Sequence, residues 1–133
     1  MTTMNDDKKI LRVVNVSITA NLTREDVDDI MSGALDGGIT YWADRVEVVG
    51  DYMAQYASEQ ISRGGELLIH DVEAEQSYYF TLDMFIKGFK LWLQHGNDIH
   101  RAVSDGKVDT CNIDAGDCDA IIQYALFGEI IYA

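Results

Sequence analysis

Three aspartates and a cysteine fall within six residues at the start of the segment DAGDCDAIIQYALFGE, Asp114–Glu129. Carboxylates at this density are typical calcium ligands and could also act as general acids or bases. An EF-hand loop needs oxygens at positions 1, 3 and 5, glycine at position 6 and glutamate at position 12. Counted from Asn112, the glycine falls at position 5 and Gln123 at position 12, and counted from Asp114, position 3 is Gly116. Neither register predicts a calcium site.

The same residues fit the beginning of a helix. Asp114 is predicted to be the N-cap, and Asp117 can return to it as in a capping box. Asp119 adds negative charge near the positive end of the helix. We predict a helix over about Ala115–Phe127, a terminal strand in EIIY at 129–132, and no metal or cofactor. The predicted buried face of the helix is Cys118, Ile121, Ile122 and Ala125.

A zinc site could be built from the two cysteines and two of the histidines, Cys111, Cys118, His95 and His100. The chain has no Cys-x2-Cys or His-x3-His pair, which zinc sites commonly use. Because Cys118 lies on the apolar face of the predicted helix, a buried free cysteine is the favoured interpretation. Whether the two cysteines lie close together is left open.

Catalytic motifs are also missing from the sequence. It contains no G-x-S-x-G elbow, no P-loop and no G-x-G-x-x-G. His70 lies on a predicted strand beside Asp71, where exposed cross-strand pairing is the ordinary explanation. We therefore predict no catalytic residue and lean against an enzyme, although active sites assemble in space from residues far apart in sequence.

The charge of the chain limits its partners. Its 133 residues include 23 acidic and 10 basic side chains, and the net charge is −13. This balance argues against direct nucleic-acid binding and against an anionic membrane surface. It favours a basic partner or mimicry of a polyanion. The carboxylates cluster modestly over Glu25–Asp29 and Asp105–Asp119, and whether they share one face is left open. The candidate contacts are Glu25, Asp26, Asp28 and Asp29.

The segment Tyr41-Trp42-Ala43-Asp44-Arg45 is a second candidate interaction element. It joins two large aromatic side chains to both signs of charge, and such residues dominate interface hot spots. The candidate residues are Tyr41, Trp42, Asp44 and Arg45. The alternative is that Trp42 fills the core of a small domain and that Asp44 and Arg45 form a surface pair.

The remaining pattern predicts a mixed α+β domain. Residues 1–9 are expected to be a disordered tail and residues 10–133 one domain, with a mostly antiparallel sheet packed against three or four helices. Predicted strands are Ile10–Ala20, a short strand near Arg45–Val49, and a hairpin of ELLIHDV and SYYFTL. Predicted helices start at Thr23, Asp51 and Thr81, the last with a stripe of Leu82, Phe85, Ile86, Phe89, Trp92 and Leu93 and a stop at Gly96-Asn97. Residues 97–110 are predicted to be irregular.

The polar start MTTMNDDKK lacks the apolar core of a secretory signal, and no apolar run approaches 18 residues. Both features predict a cytoplasmic protein with no membrane segment. Two cysteines are too few for a disulfide scaffold, which fits a reducing compartment. The oligomeric state is left open, a homodimer included.

Four stretches together carry a resemblance: GGITYWADRVEVVG, YASEQISRGG, FTLDMFIKGFKLWL and DAGDCDAIIQYALFGEIIYA. From about Val27 onward, the chain resembles a group of small proteins encoded by phages, prophages and other mobile elements of Firmicutes. The Gly-Gly-x-x-Tyr-Trp pattern and the ending Asp-x-Ile-x-Gln-Tyr-Ala-Leu-Phe-Gly-Glu are the most specific parts. The resemblance implies a phage accessory protein but transfers no site residue.

The expected function is therefore binding to a host protein through the acidic surface. The partner would be basic or nucleic-acid-handling, and the protein could be a counter-defence inhibitor or DNA mimic. One alternative is a small-ligand binder or enzyme with a pocket between helix and sheet. Another is a structural or assembly component of a phage, which a repeated apolar patch in a symmetric oligomer would indicate.

Overall fold

The computed structural model describes residues 7–96 and 99–133. Its helices are α1 Arg24–Gly33, α2 Leu82–His95, α3 Ile99–Ala102 and α4 Ala115–Phe127. Its strands are β1 Ala43–Val49, β2 Glu66–Asp71, β3 Gln76–Phe80, β4 Val103–Ser104 and β5 Lys107–Val108. The order β1-β2-β3 forms one antiparallel sheet, and β4 and β5 form a separate antiparallel pair. The predicted α+β class is confirmed.

The main helices begin where the sequence predicts. The Thr23 hydroxyl accepts from the Asp26 amide at 3.1 Å, and the Asp26 carboxylate accepts from the Thr23 amide at 3.0 Å. The Thr81 hydroxyl accepts from an amide in the first turn of α2. Asp114 and Asp117 bond reciprocally at 2.8 and 3.1 Å, so the predicted capping box of α4 is confirmed. These caps satisfy amides that a helix cannot pair internally.

The core lies where α1, α2 and α4 pack together and where the sheet covers them. The apolar stripe of α1 is buried at Val27, Ile30 and Met31, and it continues at the buried Ala34 in the π-helical turn Ala34–Gly38 that follows. Helices α2 and α4 approach so closely at Gly88 that a Cβ there would collide with the Ile121 carbonyl oxygen and lie 2.6 Å from the Ala125 Cβ. Glycine at this position therefore allows the two backbones to touch.

The predicted hairpin is confirmed as β2 and β3, and the predicted strand near Arg45–Val49 is part of β1. The predicted strand Ile10–Ala20 is wrong, because the chain there has no strand partner and its large side chains are exposed. The segment first pairs with a strand at Asn21, which forms a bridge with Lys107 and whose amide donates to the Gly106 carbonyl at 2.7 Å. Strand propensity without a neighbouring ladder does not make a strand.

Two further predictions are wrong, because in each case a glutamine side chain binds backbone groups that a helix or strand would have paired. The helix predicted after Asp51 is wrong, because the chain there forms only two short 3-10 turns, Ala57–Glu59 and Ile61–Arg63. The buried Gln60 amide accepts from the Met53 amide at 3.0 Å and donates to the Asp51 carbonyl at 3.2 Å. These bonds hold an irregular loop that a helix could not match.

The strand predicted in EIIY is also wrong, because the side chain of Gln123, not a neighbouring strand, binds the backbone of residues 131–132. The region 97–110, predicted to be irregular, contains α3 and the pair β4–β5. Residues 1–6 of the predicted tail, and Asn97 of the predicted stop after α2, lie outside the described residues. Gly96 caps α2 through its amide, which donates to the Trp92 carbonyl.

Candidate functional site

A buried carboxylate, Asp119, lies in the second turn of α4 and is 8% exposed. It accepts from the Tyr41 hydroxyl at 2.6 Å, from the Trp42 indole nitrogen at 2.8 Å and from the Gln123 amide at 3.0 Å. The sequence assigned Asp119 only a role as helix-start charge. Its larger role is to hold the Tyr41-Trp42 segment against α4.

The hydrogen bonds continue from Asp119 to a second buried carboxylate, Asp71. Gln123 binds the backbone of Tyr132 through its amide nitrogen and oxygen, at 3.1 and 2.9 Å. The Tyr132 hydroxyl donates to Asp71 at 2.8 Å, and the Tyr78 hydroxyl donates to it at 3.1 Å. We call these connected side chains the buried polar network: Tyr41, Trp42, Asp71, Tyr78, Asp119, Gln123 and Tyr132.

The buried polar network has the electrostatics of a scaffold. Burial, followed by the bond to Asp119, raises the pKa of Tyr41 to about 12. The bond to Asp71 raises the pKa of Tyr132 to about 12. Both phenols stay protonated near neutral pH and act as donors to the carboxylates. Catalytic acids and bases have pKa values close to the working pH, so these groups are matched to holding structure together.

The two cysteines do not form a common site. Cys111 is exposed and Cys118 is buried, and both are free. Burial raises the pKa of Cys118 to about 12, so its thiol keeps the proton and is a weak nucleophile and metal ligand. Within residues 7–96 and 99–133, no three His, Cys, Asp or Glu side chains are grouped so that they could hold a metal ion.

A Ser-His-Glu chain crosses the outer face of the sheet. The Ser77 hydroxyl lies 2.7 Å from His70 Nδ1, and His70 Nε2 lies 2.9 Å from the Glu47 carboxylate. Arg45 Nε pairs with the same carboxylate at 3.1 Å. The order Ser-His-acid is that of a hydrolytic triad, but the ring nitrogens are exchanged, because in a triad the serine contacts Nε2 and the carboxylate contacts Nδ1. Ser77 and Glu47 are also exposed, whereas oxyanion stabilisation depends on preorganised donors in a water-excluded site. The predicted cross-strand pairing of His70 is confirmed.

Parts of the two acidic clusters of the sequence, Glu25, Asp26 and Asp29 from the first and Asp105 and Asp109 from the second, meet in one concave surface. The Thr110 hydroxyl donates to the Asp29 carboxylate at 2.8 Å, and the Asn21–Gly106 bond brings β4–β5 beside the start of α1. Between them lies a depression of about 590 Å³. We call it the acidic depression, and its charged side chains are Glu25, Asp26, Asp29, Asp105, Asp109, Arg101 and Lys107. Five carboxylates against two cations give it a negative potential.

Asp28, the fourth predicted carboxylate, does not line the acidic depression. It faces the 3-10 turns, where it accepts from the Ser62 hydroxyl at 2.6 Å and pairs with Arg63 at 3.3 Å. This bond and ion pair fix α1 to the neighbouring loop. Asp28 is therefore engaged within the molecule.

The structure separates the aromatic candidates from the acidic depression. Trp42 is 0% exposed and stacks on Tyr132, with ring centroids 5.3 Å apart, so its side chain fills the core. Tyr41 is exposed, but its hydroxyl points inward to Asp119. Asp44 and Arg45 are exposed on β1. None of these four residues lines the acidic depression.

An apolar groove between α1 and α2 was missed by sequence reasoning. It encloses about 450 Å³ and carries two cations, Arg24 and Lys90, at its rim. Its apolar lining is Ala20, Leu22, Val27, Leu82, Ile86, Phe89 and Leu93. The apolar stripe predicted on α2 includes Ile86, which is 48% exposed. The apolar stripe of α2 is wider than the surface of α4 that covers it. The width of that stripe can be read from the spacing of its apolar residues, so the sequence did contain a signal for the groove.

Comparisons of the chain with protein-family models, with curated proteins and with solved structures found no match. None of the described helices is long and apolar enough to cross a lipid bilayer.

Proposed function

We propose that the protein acts by binding a basic host protein in its acidic depression. The observation that carries this proposal is the convergence of two clusters, separated by about 80 residues of sequence, into one concave surface. Concave walls of one charge sign focus the electrostatic field and raise the local concentration of an oppositely charged partner. Lysine and arginine side chains of the partner would enter the acidic depression.

The proposed setting is the cytoplasm of a bacterial host, where a phage or mobile element would produce the protein. Two features support it: the resemblance stated above, and a net charge of −13, which repels nucleic acid but attracts proteins that bind it. Occupying the basic surface of such a protein would block its access to DNA or RNA. Inhibition of a host defence nuclease is one such outcome.

The proposal predicts that the double variant Glu25→Gln with Asp105→Asn captures the partner about tenfold more weakly at low salt. The reason is that each exposed charge pair contributes up to about 1 kcal/mol of binding free energy. Glu25 has an exposed side chain, and Asp105 has φ +52°, which asparagine tolerates. The measurement is affinity capture from host lysate, quantified by mass spectrometry at about 0.05 M and about 0.5 M salt. Capture should fall steeply at the higher salt.

The matched control is Asp44→Asn with Asp83→Asn, which removes two exposed carboxylates outside the acidic depression. It changes net charge by the same amount and should alter capture less than about twofold. Equal losses in the two double variants would assign the effect to overall charge. A complex that persists unchanged at high salt would contradict a charge-driven interface.

A second candidate function is small-ligand binding in the apolar groove. Its volume of about 450 Å³ is typical of ligand sites, and its lining is mainly apolar with few polar groups. Arg24 and Lys90 at the rim would bind an anionic group, so the expected ligand is an amphipathic carboxylate. The groove lies between two helices, whereas the sequence-based alternative expected a pocket between helix and sheet.

This candidate predicts that native mass spectra of the protein, titrated with dodecanoate, show a one-to-one complex. Lys90→Gln should weaken that complex about fivefold through loss of the charge contact. Lys87→Gln is the control, because Lys87 is exposed on α2 but does not line the groove. Equal binding by both variants, or several equivalents bound without saturation, would indicate non-specific adsorption.

A further inference from the structure

The segment Ile10–Ile18 exposes more apolar surface than any other part of the described chain. Six large side chains are between 45% and 82% exposed: Ile10, Leu11, Val13, Val14, Val16 and Ile18. Single exposed apolar residues are ordinary, but a continuous run of them marks an interaction surface. Each such side chain contributes about 1.5–3 kcal/mol when it is fully buried. A partner that covers this segment would therefore gain substantial binding energy.

The segment has the composition of a β-strand. It is rich in β-branched residues, and its alternation places Ile10, Val14, Val16 and Ile18 on one side of an extended chain, with Arg12 between the first two. The described structure pairs only Asn21, at its C-terminal end, with another strand region. The edge of a sheet would provide hydrogen-bond partners for the backbone of this segment and apolar surface for its side chains.

Charge is separated between this segment and the β2–β3 hairpin. Residues 8–22 contain three basic side chains and no acidic one, a charge of +3. Residues 64–86, which include the hairpin, contain five acidic side chains and no lysine or arginine, a charge of −5. Pairing two copies of the segment with each other would oppose +3 with +3, so charge favours pairing with the hairpin.

Strand β3 offers the more accessible edge of the three-stranded sheet. It pairs only with β2 in the described structure, its register is regular, and Tyr79 on it is 59% exposed. The opposite edge, β1, has a register irregularity between Ala43 and Arg45. Bulges of this kind obstruct the addition of a strand.

From these observations we propose that Ile10–Ile18 of one molecule adds to β3 of a second copy of this chain, and that reciprocal addition makes a homodimer. The side of the segment with Val14 and Val16 would lie on the same face of the sheet as Tyr78 and Phe80, of which Tyr78 is half-buried and Phe80 is already buried. Lys8 and Lys9, at the end of the segment, would lie near the carboxylates that flank β3, and Arg12 would lie on the same side as Val14 and Val16. This dimer is independent of partner binding in the acidic depression, whose residues belong to other segments.

The test is sedimentation equilibrium of the full chain over a range of concentrations. The wild-type chain should be a dimer, and Val14→Asp with Val16→Asp should raise the dimer dissociation constant more than about a hundredfold, because carboxylates would be buried against apolar surface. On the receiving side, Tyr79→Lys should weaken the dimer about tenfold by repelling the basic segment. Tyr52→Asp, at an exposed loop residue, is the matched control and should dimerise like the wild type.

Mixing the two defective proteins provides a complementation test. The Val14/Val16 double variant keeps an intact β3, and the Tyr79→Lys variant keeps an intact segment, so their mixture should form a heterodimer with one restored contact. A wild-type chain that stays monomeric at all concentrations would overturn the proposal. So would a dimer that survives the Val14/Val16 change, or a Tyr79→Lys protein that dimerises like the wild type.

Discussion

Asp119→Ala is expected to lower the free energy of unfolding by about 3 kcal/mol, because it leaves three hydrogen-bond donors without their acceptor. The Trp42 side chain is 0% exposed in the folded protein, so its indole nitrogen depends on Asp119 for a hydrogen-bond partner. Tyr41 is exposed and can recover a bond to solvent, so its share of the loss is smaller. Among the described residues every buried side-chain nitrogen and oxygen has a hydrogen-bond partner. The variant would therefore introduce unpaired buried groups where the wild-type protein has none.

The measurement is urea unfolding followed by circular dichroism and by tryptophan fluorescence, which reports on the two buried tryptophans, Trp42 and Trp92. Asp44→Ala is the control, because it removes an exposed aspartate and should change stability by less than about 0.5 kcal/mol. Asp119→Asn should fall between them, since it keeps one acceptor oxygen. A loss below about 1 kcal/mol for Asp119→Ala would show that the buried polar network is not what holds Tyr41-Trp42 in place.

Gly88→Ala is expected to cost about 2–3 kcal/mol, although alanine is ordinarily the better helix former by about 1 kcal/mol. The added methyl group would meet the Ile121 carbonyl oxygen and the Ala125 backbone nitrogen, the latter at 2.8 Å. Backbone atoms cannot rotate away, so α2 and α4 would have to separate. Separation would also loosen the apolar contacts of Phe85 and Phe89.

Gly37→Ala is the matched control for the substitution at the contact between α2 and α4. A Cβ at Gly37 meets nothing within 4 Å, and its φ is not positive. This change should leave stability unchanged or raise it by up to about 1 kcal/mol, chiefly by restricting the unfolded chain. Equal effects of the two substitutions in thermal or urea unfolding would contradict the proposed close contact between α2 and α4.

Local features of the sequence predicted the elements whose causes are local. The caps of α1, α2 and α4 depend on residues three positions apart, and a capping box forms from that spacing alone. The β2–β3 hairpin joins neighbours in sequence, so its strands and tip were also predictable. The role of Asp114 and Asp117 in starting α4 was predictable for the same reason, because it depends only on their spacing.

Contacts that do not follow the spacing of a helix or a strand explain the failures. Strand propensity over Ile10–Ala20 is real, but whether a ladder forms depends on a neighbour elsewhere in the chain or in a second molecule. Gln60 replaces a predicted helix, and Gln123 replaces a predicted strand, through bonds to backbone that no periodicity reveals. For Asp119, the two partners Tyr41 and Trp42 are 78 and 77 residues away.

The sequence by itself determined where the main helices begin, which faces of them are apolar, and that the molecule carries a large negative charge. These properties follow from spacing and composition, which act over a few residues or over the whole chain. Only the tertiary structure decided that Glu25, Asp26 and Asp29 meet Asp105 and Asp109. It also decided that Trp42 is part of the core and that Ile10–Ile18 is left uncovered. Each of these depends on which distant segments pack together, and packing is decided by the total burial and hydrogen bonding of the folded chain.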